Sequence, residues 1–337
     1  MKHLPLFSLL LAITLFSGCS SKQYFEPENT YSASHASQGY GANVIDLSRN
    51  GGTLNTGSYL GKAGISQIKL GEGYRFINEN TRYILASNSI GTLKIINKST
   101  QKTLRTVALH TPIVSASINN GVIAYILNNN TFGIYLMAKD QKVIESRSER
   151  TYAIDTRAAS PMFVENLVVM PMLDGKIIIV NIHDSQNAKV VYISNESSFN
   201  NVIYLSRVKN TMIASTPTRV ITLGGTGKKE YKANISEIAV EKNRIYLFTQ
   251  EGHIIALNLA LEVMHQTQFK FAHYAVGTAI DGKVYALDQQ GSLIVLNSTL
   301  SQSKIYHLGS INEPVFITGN ILYKDGKRIE LSALGYE

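Results

Sequence analysis

The chain has 337 residues, a net charge of +8, 44% apolar and 17% charged residues, one cysteine and no tryptophan. One cysteine rules out disulfide frameworks and cysteine-based zinc clusters. The Lys and Arg residues are scattered, with none in a run longer than two, so the basic balance does not carry the clustered footprint of a nucleic-acid binder.

Met1-Lys2-His3 is a short basic start, followed by the apolar stretch Leu4 to Phe16 and then Ser17-Gly18-Cys19. A run of about 13 mostly apolar residues is short for a bilayer span and suits the core of a secretory signal. Small residues before Cys19 resemble the lipobox of bacterial lipoproteins, with Phe16 where Leu is usual. Residues 1–18 are therefore expected to be a cleaved signal peptide and Cys19 the lipidated residue, anchoring the chain to a membrane through its acyl chains. Ser20 and Ser21, without an aspartate after the cysteine, resemble the enteric pattern for outer-membrane sorting. That pattern implies a periplasm-facing position at the outer membrane of the cell envelope.

From Ser20 the chain is rich in Ser, Asn, Gly and Tyr and shows little periodicity beyond Asn43 to Leu47. Such a composition buries too little apolar surface to offset chain entropy. Residues 19–62 are expected to form the lipidated cysteine and a tether, with Asn43 to Lys62 lying along a folded body of residues 63–337.

Beyond the tether the sequence repeats. Tyr83 to Asn97, Leu167 to Asn181, Ile245 to Asn258 and Val284 to Asn297 each read as apolar strand, Gly turn and apolar strand ending in Asn. Weaker copies run from Val122 to Met137 and from Met212 to Leu223, and a truncated one from Ile321 to Leu331. Asp-Gly, Glu-Gly and Gln-Gly supply the positive φ of tight turns. Flanking strands are expected at Tyr74 to Ile77 and Thr103 to Leu109, and again at Tyr274 to Ile280 and Lys304 to Leu308. Four strands per unit of about 40 residues mark a propeller blade. The fold class expected is all-β: a single β-propeller of seven four-stranded blades. The last unit runs out after its third strand, so Ile65 to Leu70, an N-terminal strand, is expected to pair with the last blade and close the ring.

The unit Val284-Tyr-Ala-Leu-Asp-Gln-Gln-Gly-Ser-Leu-Ile-Val-Leu-Asn297 resembles the repeat of quinoprotein-type (PQQ-like) propellers. That superfamily includes BamB, a lipoprotein scaffold of the outer-membrane β-barrel assembly machine, which usually has eight blades. The resemblance spans about residues 64 to 333 and implies a protein-binding scaffold. The family's usual Trp late in each blade is missing, and with it the platform on which a quinone cofactor would rest. No cofactor is expected.

No catalytic motif stands out. Gly224-Gly225-Thr226-Gly227-Lys228-Lys229 lacks the spacing of a phosphate loop and reads as a β–β turn. His253, His265 and His273 fall on different elements, with no helical or strand pair that would chelate a metal. Asp174, Glu251 and Asp325 sit beside turn glycines, where turn chemistry accounts for them. One connection departs from the pattern: Ser146 to Pro161, between the second and third repeats, carries Arg147, Arg150, Tyr152, Asp155 and Arg157. Arg and Tyr are enriched at interfaces, and long loops on rigid scaffolds often bind partners. These five residues are the expected contact set for a protein partner in the envelope. The competing reading is a small-ligand binder or enzyme using the central channel, with Tyr74, Ser115, Ser117 and Thr278 on its walls.

Overall fold

The computed structural model describes residues 23–337 apart from Tyr152 and Thr226. The expected signal peptide and Cys19 lie outside the described residues, as does Tyr152. Among the described residues there is no α-helix, only two single 3₁₀ turns at Ser34–Ala36 and Leu331–Ala333.

The strands form eight antiparallel sheets arranged as propeller blades. The chain does not build the expected seven. Blades 2 to 7 span residues 75–108, 113–147, 162–192, 204–232, 235–268 and 274–307. Blade 8 takes three strands from residues 316–330. The uncounted blade is the first, built from Val44–Ser48, Gly51–Leu54, Tyr59–Gly61 and Gly64–Ile65. It comes from the segment that composition assigns to the tether. Its strands are short and four of their positions, Gly51, Gly52, Gly61 and Gly64, are glycines, so it lacks the long apolar runs that betray the other blades. Even so, Gly51 to Leu54 and Tyr59 to Gly61 are all buried. Gly51 and Gly52 are packing requirements. A Cβ on Gly51 would stand 2.2 Å from the Leu60 carbonyl oxygen and 2.6 Å from the Phe76 ring.

Ring closure also differs from expectation. The outer strand of blade 8 is Ser37–Gly39, paired antiparallel with Lys327–Glu330, while Gly64–Ile65 is the outer strand of blade 1. A second N-terminal strand, Tyr31–Ser32, adds in parallel to the outer edge of blade 7 beside Tyr306 and His307. Two exposed edges are thereby covered by the chain's own N-terminal region.

Within a blade, burial follows position. Lys283–Asp288 and Ser292–Asn297, the two middle strands of blade 7, are buried nearly throughout. Outermost strands such as Gly227–Lys232 are mostly exposed and charged. The wedges between successive blades hold eight apolar clusters, most of them centred on Tyr or Phe such as Tyr125, Phe248 and Tyr285. These rings occupy the space in a chain without tryptophan.

The Asn that ends each strong repeat caps the turn to the outer strand. The side-chain oxygens of Asn97, Asn181, Asn258 and Asn297 accept backbone N–H bonds from Ser99, His183, Ala260 and Ser301, each at 2.9 Å. The first three are Asx-turns, with the amide two residues on, while Asn297 spans a longer turn to an amide four residues on. The middle turn of each blade makes a second recurrent contact. Its carbonyl accepts the first amide of the link to the next blade: Leu109 N–H to Gly91, Phe269 to Gly252 and Leu308 to Gly291, all at 2.9 Å. At Gly252, φ is +78° and an added Cβ would lie 2.2 Å from the Phe269 carbonyl oxygen.

Gly252→Ala is therefore expected to cost about 3 kcal/mol or more, because strain and a backbone clash coincide. Gly121→Ala is the control. Its φ is +77° but nothing lies within 4 Å, so only the left-handed backbone penalty of about 1 kcal/mol applies. Urea unfolding of the two variants checks this, and equal losses would refute the packing argument.

Candidate functional site

The innermost strand of every blade faces a central channel, with a cavity of about 660 Å³. The turn after the first strand of blade 1 reaches across it. Arg49 Nη2 lies 2.8 Å from Glu237 Oε1, and its Nη1 donates to Oε2 at 3.1 Å. The guanidinium also stands 5.3 Å from the ring centre of Tyr204. Those partners belong to blades 6 and 5, on the far side of the ring. Asn50 Nδ2 donates to Ser160 Oγ at 2.7 Å, just before blade 4. Blade 1 thus supplies a crossbar through the channel.

The electrostatics of the crossbar are closed. Burial pulls the Arg49 pKa down, but the charge and hydrogen bonds of Glu237 outweigh it and hold the guanidinium above its ordinary value. The channel's other carboxylate, Glu79, accepts from Tyr59 Oη at 3.0 Å and Lys62 N–H at 2.6 Å, and pairs with Lys98 Nζ at 2.6 Å. Burial first, and then the Glu79 charge, push the Tyr59 phenol up to about 12. Both carboxylates of the wall are engaged by protein groups. Among the described residues no group of three His, Cys, Asp or Glu side chains could hold a metal ion.

Of the channel residues expected from sequence, Ser117 and Thr278 line the cavity, and Ser117 Oγ accepts from Asn78 Nδ2 at 2.9 Å. Tyr74 and Ser115 are not on its wall. Tyr74 lies under the Lys94 ammonium, 3.5 Å from the ring centre, and Ser115 is buried. Arg49 and Asn50 were missing from the sequence reading. The Asn50-Gly51 pair after Asn43 to Leu47 is the turn signal that could have exposed them.

The loop from Ser146 to Pro161 joins blades 3 and 4 and is pinned at both ends. Ser148 N–H reaches the Asn130 carbonyl at 3.0 Å, and Ser148 Oγ donates to Asp174 Oδ2 at 2.6 Å. Further along, Asp155 N–H donates to Asn201 Oδ1 at 2.6 Å, and Asn201 Nδ2 returns a bond to the Asp155 carbonyl at 3.0 Å. Arg157 Nε donates to Asp155 Oδ1 at 2.7 Å. Arg157 also lines a hollow with Glu251, His273 and Gln289, beside the middle turns of blades 6 and 7. Arg147 is exposed with its Nε bonded to the Asn129 carbonyl at 3.1 Å, and Arg150 is exposed. The structure therefore joins Asp155 and Arg157 into one pair and leaves Arg147 and Arg150 outside it.

Comparison with known proteins follows this geometry. No family model matches the chain. Two curated relatives are the plasminogen-binding proteins PgbB of Helicobacter pylori strains J99 and 26695, which are 23% and 24% identical. Each alignment covers 95% of this chain and 70% of the relative. Among solved structures, BamB from Moraxella catarrhalis superposes with a TM-score of 0.66 at 13% identity, over 87% of this chain and 98% of that one. Sqt1 of Saccharomyces cerevisiae gives a TM-score of 0.60 at 13% identity, over 89% and 97%. The class defined by fold and sheet order is the β-propeller, here with eight blades. Within that class the chain has the fold of BamB, a PQQ-like propeller.

Two outcomes follow. Glu237→Leu strands the Arg49 cation and is expected to lower stability by about 3 kcal/mol, whereas adding Arg49→Met restores most of it. A double-mutant cycle in urea checks this, and additive losses would show that the crossbar is not coupled. Asp155 gives the second. Burial raises its carboxyl pKa, but hydrogen bonds and charge from Arg157 outweigh that and hold it below the ordinary value. Its contribution is thus present above the ordinary carboxylate range and lost as pH falls through the lowered value. Asp155→Asn should show a shallower loss of stability between neutral pH and acid than the parent, and parallel curves would refute it.

Proposed function

We propose that the chain is a lipid-anchored scaffold of the cell envelope. In this reading it is held at the outer membrane through Cys19 and binds another protein with the outer surfaces of its propeller. The crossbar carries this reading. Arg49 and Asn50 cross the channel through the protein's own contacts, and Glu79 and Glu237 are already paired. Such a channel is poor ground for a general base or a cofactor, which supports a reading in which the faces and rims bind and no reaction is catalysed.

The names of similar proteins support the same direction, since the relatives are described as plasminogen-binding and BamB shares the fold. Signal-peptide patterning and the lone cysteine at position 19 support the anchor. On the propeller, the loop bearing Arg147, Arg150 and Tyr152 is the proposed contact surface, with the Asp155–Arg157 pair fixing its base.

Crosslinking in intact cells is expected to join the propeller to envelope proteins. The double change Arg147→Glu with Arg150→Glu should reduce that yield at least tenfold with an unchanged melting temperature. Metabolic labelling with an alkyne fatty acid should mark the wild type and not Cys19→Ser. An unlabelled wild type would remove the anchor, and a wild type that crosslinks to no protein would remove the scaffold reading.

A further inference from the structure

The wedge between blades 4 and 5 differs from every other. Of the eight apolar clusters between blades, six bury a Tyr or Phe, and the cluster between blades 5 and 6 has Tyr204 and Tyr231 partly buried against it. The cluster between blades 4 and 5 contains only Ala, Val, Ile, Leu and Met among the described residues. With no ring in or against this cluster, an apolar cleft of about 520 Å³ lies between the two blades. Val164, Val169, Ile179 and Val191 form its blade 4 wall, and Met212 and Leu223 its blade 5 wall. All but Val169 are only partly buried, and Leu167 at the mouth is 38% exposed.

The rim carries charge of one sign. Lys189, Arg207 and Lys228 border the cleft, and no carboxylate lines it among the described residues. Lys228 Nζ donates to the Tyr192 carbonyl at 2.8 Å and stands 3.5 Å from Glu230 Oε2, while an Arg207 Nη donates to Asn210 Oδ1 at 3.2 Å. These contacts hold two of the cations at the edge. Outer strands of this propeller also accept an added strand, as Tyr31–Ser32 does on blade 7.

We propose that the cleft between blades 4 and 5 is a docking site for an acidic segment of a partner protein that inserts one aromatic side chain. The inserted ring takes the place that Tyr or Phe holds in the other wedges, and flanking carboxylates meet the three cations. This deepens the scaffold reading and rests on it, but it names a different surface from the arginine loop. It also gives the site a chemistry: apolar within, cationic at the border.

The test uses a fluorescein-labelled Asp-Asp-Glu-Phe-Glu-Asp peptide, its Phe→Ala form, a Lys-Lys-Lys-Phe-Lys-Lys peptide and a dansyl-labelled fatty acid. Anisotropy should show saturable binding of the first peptide, at least tenfold weaker for the Phe→Ala form and the basic peptide, and weakened by salt. Val191→Phe fills the cleft from blade 4 and Met212→Phe from blade 5. Each should weaken binding at least tenfold with an unchanged circular dichroism spectrum, and either variant suffices if the other fails to fold. Lys189→Glu with Arg207→Glu should weaken the acidic peptide and not the fatty acid. No binding, or binding that survives the filling variants, would overturn the proposal. Fatty-acid binding lost in Val191→Phe, without peptide binding, would overturn it in favour of an amphiphile. A Val191→Phe protein that keeps all its cellular crosslinks would overturn the cleft alone and leave the scaffold reading standing.

Discussion

The ring depends on one repeated hydrogen bond, from the first amide of each interblade link to the carbonyl of the preceding blade's middle turn. It recurs at Gly91, Asn130, Gly175, Thr218, Gly252, Gly291 and Gly326, with N···O distances from 2.8 to 3.3 Å, and at Gly57 the donor is Leu70, further along the link. The bond fixes where the chain leaves one blade and enters the next, so it sets the placement of neighbouring sheets. Close backbone approach at Gly91, Gly175, Gly252 and Gly291 excludes a side chain, and positive φ excludes most residues a second time. Asn130 meets the same demand by another route. It adopts φ of +63°, and its side chain bonds the Glu149 carbonyl and the Leu173 amide, tying blade 3 to blade 4.

That constraint explains what could be read from the residues alone. Gly91, Gly175, Gly252 and Gly291 punctuate apolar runs, and the runs are apolar because the middle strands are sandwiched between neighbouring blades. Architecture and strand number per blade were legible for this reason. Blade 1 was not, because Gly51 stands where a side chain would strike Phe76 and the Leu60 backbone, and Gly52 where one would crowd Val44, Leu47 and the Asp46 carbonyl, and hydrophobicity carries no trace of that. Its turn at Gly57 nevertheless lies 34 residues before Gly91, within the range of the other spacings. Closure was misplaced for a related reason: Ser37–Gly39 pairs through backbone groups, and its sequence, Ser-Gln-Gly, has no strand signature.

The channel could be read only in part. Ser117 and Thr278 face it as strand alternation on an inner strand allows, but the bulges near the start of several inner strands, such as that between Ile113 and Ser115, shift which residues face inward. The crossbar was beyond reach because Arg49 and Glu237 are 188 positions apart in the chain and meet only once the ring has formed. Its effect is to convert a pore into a braced hub. Polar groups that would otherwise face solvent in the bore are spent on holding blades 1, 4, 5 and 6 to one another. The loop of Arg147 to Arg157 is legible as an irregularity, whereas its internal pairing at Asp155 requires Asn201 from another link.

The seam at blade 8 has a temporal meaning. Ser37–Gly39 is among the first described segments to be synthesised, yet its partner Lys327–Glu330 is among the last. Until those final residues emerge, seven sheets can stack in an open arc with an unlatched strand at one end and no partner at the other. Cooperative locking of the ring must therefore wait until residues 327–330 have been made, and it requires closing a loop of about 290 residues between the paired strands, the slowest kind of contact to form. A chain lacking those residues would be an arc that displays a raw β-edge. The C-terminal hairpin is thus the clasp of the molecule, and its arrival separates an adhesive intermediate from a sealed ring.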